Sequence, residues 1–240
     1  MPSPLSLRSK PDVERGEAQG TREEPSLPSL RGFGVAGLLA MLVIFVSSAF
    51  STPVGAALVL LWAWLSGAPW NEIGYVRPRN WATTLAVGVV GGVAFKFAMK
   101  AIVMPLLGAD PVNHAYHFLS GNRAALPGMI FTVLIGAGFA EETFYRGYLF
   151  ERLGKLLGSG TAARLAILVV TSLLFGAAHY RDQGLAGLEQ GAITGLVFGV
   201  MLLGAGTIVL PMVAHAAFDL TAVWMIYSNL EAYIGHLIFQ

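Results

Sequence analysis

Three ionisable side chains stand together in an otherwise apolar stretch of the sequence, "GFAEETFYRGYLF", residues 138–150. Glu141 and Glu142 are adjacent, and Arg146 follows Glu142 by four residues. An acid placed four residues before a base is the favourable order for a helical ion pair, so Glu142 and Arg146 are predicted to pair. Glu141 projects to a different side of the helix and has no such partner. A buried, unpaired carboxylate is suited to accept a proton from water, as a general base does.

Two further segments carry side chains that work with such a base. "FGAAH" places Phe175 and His179 one helical turn apart, and "HAAFD" gives His215 and Asp219 the same spacing. Acid–base catalysis needs a group that accepts a proton, a group that donates one and a positive group where negative charge develops. Glu141, His179, His215 and Asp219 are therefore the candidate catalytic residues, and Glu142, Arg146 and Phe175 the candidate supporting residues.

The same four candidate catalytic residues raise the question of a metal cofactor. Glutamate, histidine and aspartate form an oxygen and nitrogen donor set that suits zinc, which would also acidify a bound water. These donors come from three separate segments, and the sequence contains no HExxH pair. The sequence leaves zinc open as a cofactor, and we favour a metal-free site over a zinc site.

The composition indicates that the elements holding these residues lie in a membrane. Of 240 residues, 55% are hydrophobic and 12% are charged, and the mean hydropathy is +0.64. Soluble domains carry about 25% charged residues. The net charge of +1 implies no nucleic-acid partner, and the absence of cysteine excludes disulfides and thiolate chemistry. The lipid bilayer is the expected surroundings.

Apolar runs separated by short polar breaks predict an all-α, polytopic transmembrane bundle of seven or eight helices. The runs span residues 34–50, 53–66, 80–107, 127–150, 161–179, 185–203 and 207–227. The first two runs are short, so residues 34–66 form either one or two spans. Residues 1–32 are rich in proline and charge and are predicted to be a disordered cytoplasmic tail. The bundle is predicted to occupy residues 33–240.

The distribution of basic residues predicts the orientation. With the amino terminus in the cytoplasm, ten lysines and arginines fall on the inside and two, Arg123 and Arg181, on the outside. Cytoplasmic segments of membrane proteins carry this excess of positive charge. We therefore predict an integral membrane protein with a cytoplasmic amino terminus.

The motifs "EETFYR", "FGAAH" and "HAAFD", in this order, resemble those of the CPBP family of intramembrane proteases. That family contains the CAAX prenyl endopeptidases and the bacteriocin-processing proteins. The segment "IGYVRPRNW", residues 73–81, is similar to the linker that precedes the core in bacterial members. The resemblance covers about residues 70–225. Many members carry asparagine where this chain has Asp219.

The resemblance implies roles for individual residues. Glu141 matches the catalytic glutamate that activates a water, and His179 matches the histidine that works with it. His215 and Asp219 match residues proposed to polarise the carbonyl or to bind a metal. The other members of the first motif match supporting residues. The implied activity is an intramembrane, CAAX-type endopeptidase.

The resemblance also implies partners and a location. The substrate would be a membrane-anchored protein or peptide cleaved near its C-terminus or at a leader, in the cytoplasmic (inner) membrane of a bacterium. Two other classes of function stay open from the residues alone. A proton-coupled transporter would use Glu141, His179 and Asp219 as a relay. A catalytically silent scaffold, such as an immunity protein, would need one motif position replaced.

Overall fold

The computed structural model describes residues 27–239, and within this range the chain is helical and contains no strand. The principal helices are α1 (Val35–Phe50), α2 (Thr52–Ser66), α3 (Trp81–Leu106), α4 (Arg123–Leu157), α5 (Thr161–Ala205), α6 (Val209–Tyr227) and α7 (Glu231–Gly235). The all-α prediction is confirmed. The predicted tail lies mostly outside the described residues, and its last part contains a short 3-10 helix, Pro28–Arg31.

Four of these helices, α3 to α6, are long and apolar enough to cross a membrane. The first two helices are separate elements, joined at Ser51, and contain 16 and 15 residues. At 1.5 Å per residue they reach about 24 and 22 Å, less than the roughly 30 Å of a hydrocarbon core. Length and composition alone therefore establish four candidate spans, and the predicted count of seven or eight is not confirmed.

Helix α5 reverses direction at Gly184, whose φ of 61° and ψ of −151° are non-helical. Glycine tolerates such a conformation because it has no Cβ. Beyond this residue the two arms, 161–183 and 185–205, run antiparallel and in close contact. A Cβ added to any of three glycines would collide with a residue of the other arm, and these contacts establish the register. The pairs are Gly176 with Leu188, Gly195 with Ser172, and Gly199 with Leu168. The fifth and sixth apolar runs of the sequence are these two arms.

Helices α3 and α6 also approach each other closely through small residues. A Cβ on Gly92 would lie 2.2 Å from the carbonyl oxygen of Ala214, and one on Gly88 would lie 2.7 Å from Val213. Small residues permit such close approach in membranes, where association depends on van der Waals packing. The contact fixes the part of α6 that includes His215.

The contact at Gly92 leads to a test of this packing. Gly92→Ala is expected to destabilise the protein by about 1–3 kcal/mol, because the new methyl group must push the α6 backbone away. Gly91→Ala is the matched control, since a Cβ there would meet only the end of Met201, at 3.7 Å. Thermal unfolding in detergent compares the two variants. Equal melting temperatures would contradict the close packing.

Helix α4 is wider than an α-helix along the glutamate motif. Residues Thr132–Glu141 and Thr143–Leu149 are π-helical, with hydrogen bonds from i to i+5. Such widening is rare, and it occurs frequently at functional sites. The widened part packs against α2 through Trp62 and Tyr148, whose rings meet edge to face at 5.1 Å. This aromatic contact fixes α4 against α2 on the C-terminal side of its glutamates.

Candidate active site

The four candidate catalytic residues line one cavity of about 290 Å³. Glu141 comes from α4, His179 from the first arm of α5, and His215 and Asp219 from α6. Phe175 lines the same cavity. Three helices that are separated along the chain therefore bring these side chains together. Their catalytic roles stay predictions.

Glu142 and Arg146 form the ion pair that their spacing predicted. The Nη1 atom of Arg146 donates to Oε1 of Glu142 at 3.0 Å, and both side chains are almost fully buried. The Nη2 atom donates to the carbonyl oxygen of Gly195 at 3.3 Å, and the guanidinium lies 4.5 Å from the centre of the Phe175 ring. The arginine thus joins α4 to both arms of α5.

Glu142 also contacts His215, which the spacing of the motifs did not predict. Oε1 of Glu142 lies 2.7 Å from Nδ1 of the histidine. On the other side of the ring, Nε2 lies 3.4 Å from Oδ2 of Asp219 and 3.8 Å from Oε2 of Glu141. Both ring nitrogens therefore face carboxylate oxygens, which can only accept hydrogen bonds when ionised. The ring of Phe198 covers the imidazole at a centroid distance of 4.9 Å.

Glu141 differs from its neighbour in having no hydrogen bond to any other residue in the described part of the chain. Its side chain is 20% exposed, whereas that of Glu142 is completely buried. The exposed part faces the cavity. Glu141 is thus a mostly buried carboxylate that remains accessible from the cavity.

His179 has one fixed ring nitrogen and one available ring nitrogen. Nδ1 lies 2.8 Å from the carbonyl oxygen of Phe175, and since a carbonyl can only accept, Nδ1 is the donor. In the neutral ring, Nε2 is then the acceptor. The Phe175 ring packs on the imidazole at 4.7 Å. His179 can therefore accept a proton on the cavity side.

Several polar residues that no sequence motif indicated line the same cavity, among them Lys96, Tyr116 and Gln190. Burial raises the pKa of Tyr116, and the charges of Asp219 and Glu141 raise it further. Its hydroxyl therefore keeps its proton and can donate. Lys96 had one signal in the sequence, since an ionisable residue within an apolar run has a functional role by default.

The donor side chains around the cavity also bear on whether a metal ion is held there. Within residues 27–239, no group of three or more His, Cys, Asp or Glu side chains has the geometry to hold a metal ion. His215 contacts Glu142 through Nδ1, and its Nε2 lies between the carboxylates of Asp219 and Glu141.

Together the cavity offers a carboxylate without a hydrogen bond, an imidazole between carboxylates and a second imidazole with a free acceptor. This set can deprotonate a water, donate to a developing oxyanion and carry a proton to a leaving group. It contains no thiol nucleophile, because the chain has no cysteine.

Comparison with known proteins agrees with this chemistry. Residues 123–221 match the family described as Type II CAAX prenyl endopeptidase Rce1-like. The matched range includes all three motifs and ends just beyond Asp219, whereas α1, α2 and α3 precede it. The resemblance found in the motifs is thereby confirmed over these residues. Neither the search of curated proteins nor that of solved structures gave a significant match.

Proposed function

We propose that this integral membrane protein, which matches the Rce1-like CAAX prenyl endopeptidases over residues 123–221, is an intramembrane endopeptidase that uses glutamate-activated water. Its substrate is a membrane-anchored protein or peptide, cleaved near the C-terminus or at a leader. We further propose a bacterial inner-membrane location, with the amino terminus in the cytoplasm. The observation that carries the proposal is the contrast between Glu141, which makes no hydrogen bond within the described residues and approaches only His215 at 3.8 Å, and Glu142, which contacts both Arg146 and His215 closely.

In the first step, Glu141 removes a proton from a water, and the water oxygen attacks the carbonyl carbon of the scissile bond. The free acceptor nitrogen of His179 orients this water from the other side of the cavity. The carbonyl oxygen becomes negatively charged and accepts a hydrogen bond from Nε2–H of His215. Preorganised donors of this kind commonly contribute the largest part of the rate enhancement.

In the second step, the carbon–nitrogen bond breaks and the leaving amine takes the proton that Glu141 removed from the water. His215 can serve as a donor on both sides because Glu142 and Asp219 stabilise its positive charge. Glu142 thus has two functions, since it neutralises Arg146 and orients the imidazole. The products are a new C-terminal carboxylate and a new amine.

Mass spectrometry of C-terminal peptides tests the proposed activity even while the substrate is unidentified. Membrane fractions of cells that produce the wild-type protein are compared with those of cells that produce Glu141→Gln at equal levels. We expect new C-termini, or shortened leaders, in membrane proteins of the wild-type cells alone. Identical sets of termini would contradict the endopeptidase proposal.

We also predict that activity does not depend on a bound divalent ion. Cleavage by the purified protein should persist after exhaustive treatment with a chelator, because a protonated His215 held between Glu142 and Asp219 can stabilise the oxyanion without a metal. Elemental analysis of the same sample should give less than one metal per chain. Stoichiometric zinc that is lost together with activity, and whose return restores it, would overturn this prediction.

A further inference from the structure

Lys96 is a buried cation that the proposed mechanism does not use. It lies on α3 within an apolar run and is 7% exposed, and ionisable residues in such runs are costly to bury. Its ammonium donates one hydrogen bond, to Oε1 of Gln190 at 3.2 Å, and lies 4.6 Å from the centre of the Phe218 ring. Within residues 27–239 it forms no salt bridge. An ammonium has three donors, so donors remain available for a ligand.

The location of Lys96 indicates where such a ligand would sit. The lysine lines both the catalytic cavity and an adjoining cavity of about 290 Å³ that α3, the loop after it and the turn of α5 enclose. The residues shared by the two cavities include Lys96, Asn113, Gln183 and Gln190. A short peptide segment can thus extend from the carbonyl-binding position beside His215 into the adjoining cavity and pass Lys96.

Gln190 supplies a second donor at the same position. Because the lysine ammonium can only donate, the amide oxygen of Gln190 must face it, and this fixes the orientation of the amide. The amide NH₂ group is then not used by the lysine and makes no hydrogen bond within residues 27–239. A carboxylate that lies against both side chains can accept from the ammonium with one oxygen and from the amide NH₂ with the other.

The other charges around the adjoining cavity leave Lys96 as the cation available to an anion. The ammonium of Lys100 is already bound by Glu231, at 3.2 Å, and by the carbonyl oxygen of Pro111, at 2.6 Å. Among the acids that line this cavity, Glu231 is therefore paired, Asp110 pairs with His114 at 3.1 Å, and Asp182 is solvent-exposed. Asp219 lines the catalytic cavity beside Lys96 but is directed to His215.

We propose that Lys96 and Gln190 form a subsite for the terminal α-carboxylate of the peptide substrate. The terminal carboxylate is the one negative charge that every such peptide carries, whatever its side chains are. The inference rests on the proposed endopeptidase activity and deepens it, because it limits cleavage to a position a few residues before the C-terminus. The released fragment is then a short peptide that keeps this carboxylate.

Binding of product-like peptides tests the subsite independently of cleavage. N-acetyl-trileucine and its carboxamide are titrated into the purified full chain in detergent, and dissociation constants are measured by calorimetry. The free acid should bind about tenfold or more tightly than the amide, as a charge-assisted hydrogen bond provides. In Lys96→Met this ratio should fall to about one, and in Lys96→Arg it should largely persist.

Further arms separate the subsite from a structural role and from other anions. Lys96→Met removes an unpaired buried charge and should raise the melting temperature, whereas loss of a structural cation would lower it. Equal affinity of acid and amide in the wild type would overturn the proposal. It would also be overturned if inorganic phosphate stabilised the protein as strongly as the acid in a Lys96-dependent manner. A preserved acid preference without any turnover would instead count against the proposed endopeptidase alone.

Discussion

Glu141→Gln is expected to lower the rate of peptide-bond cleavage by about 10²–10⁴-fold, the contribution of a general base. Glutamine keeps the shape of the side chain and cannot accept the proton from the attacking water. The melting temperature should stay close to that of the wild type, because Glu141 makes no hydrogen bond within the described residues. Initial rates on a substrate found by terminal-peptide mapping provide the measurement.

Glu189→Gln is the matched control for this experiment. Glu189 lies on the second arm of α5, one residue before Gln190, and lines neither the catalytic nor the adjoining cavity. This variant should cleave the substrate at the wild-type rate. Near-normal turnover by Glu141→Gln would show that another group is the base. A proton-coupled transporter would be indicated if Glu141→Gln abolished substrate-dependent proton uptake in liposomes in which no peptide is cleaved.

Removal of either partner of the Glu142–Arg146 pair should cost about 3–5 kcal/mol of stability, since it leaves an uncompensated buried charge. The loss of stability should be large for Glu142→Gln, because this carboxylate contacts both Arg146 and His215. Glu142→Gln with Arg146→Gln should be less damaging than the sum of the two single changes. Chemical denaturation in mixed micelles gives the four free energies of this cycle.

An exposed ion pair provides the comparison for the cycle. Arg31 contacts Glu72, with side chains 30% and 29% exposed, so the corresponding cycle should give a coupling energy of at most about 1 kcal/mol. The buried pair should couple by about 0.5–3 kcal/mol. Strict additivity at Glu142 and Arg146 would mean that the two side chains do not interact energetically.

The sequence predicted the parts of this site that depend on spacing within one helix. The i to i+4 relation of Glu142 and Arg146 was sufficient to predict their ion pair, which the structure contains. The same reasoning separated Glu141 from Glu142, and the apolar runs predicted the arms of α5. In these cases the geometry of a helix converts residue numbers directly into positions, independently of how the helices pack.

Contacts between helices could not be predicted in this way. The hydrogen bond of Glu142 with His215 joins residues 73 positions apart, and that of Lys96 with Gln190 joins residues 94 positions apart. Both depend on how α3, α4, α5 and α6 pack, and this packing depends on where glycines let backbones approach. The π-helical widening of α4 could not be predicted from the sequence either, because its residues form no pattern that distinguishes a π-helix from an α-helix.

The close approach of the two arms of α5 has a consequence for the motion of His179 during turnover. A Cβ on Gly191 would lie 3.3 Å from Nδ1 of His179, so the backbone of the second arm lies directly against the imidazole. Nδ1 of the ring also donates to the Phe175 carbonyl oxygen, and the imidazole packs at an inclined angle against the Phe175 ring. A ring flip would break these contacts, so the imidazole is held in one orientation. Under the proposed mechanism the water, and not the imidazole, must therefore change position between one proton transfer and the next.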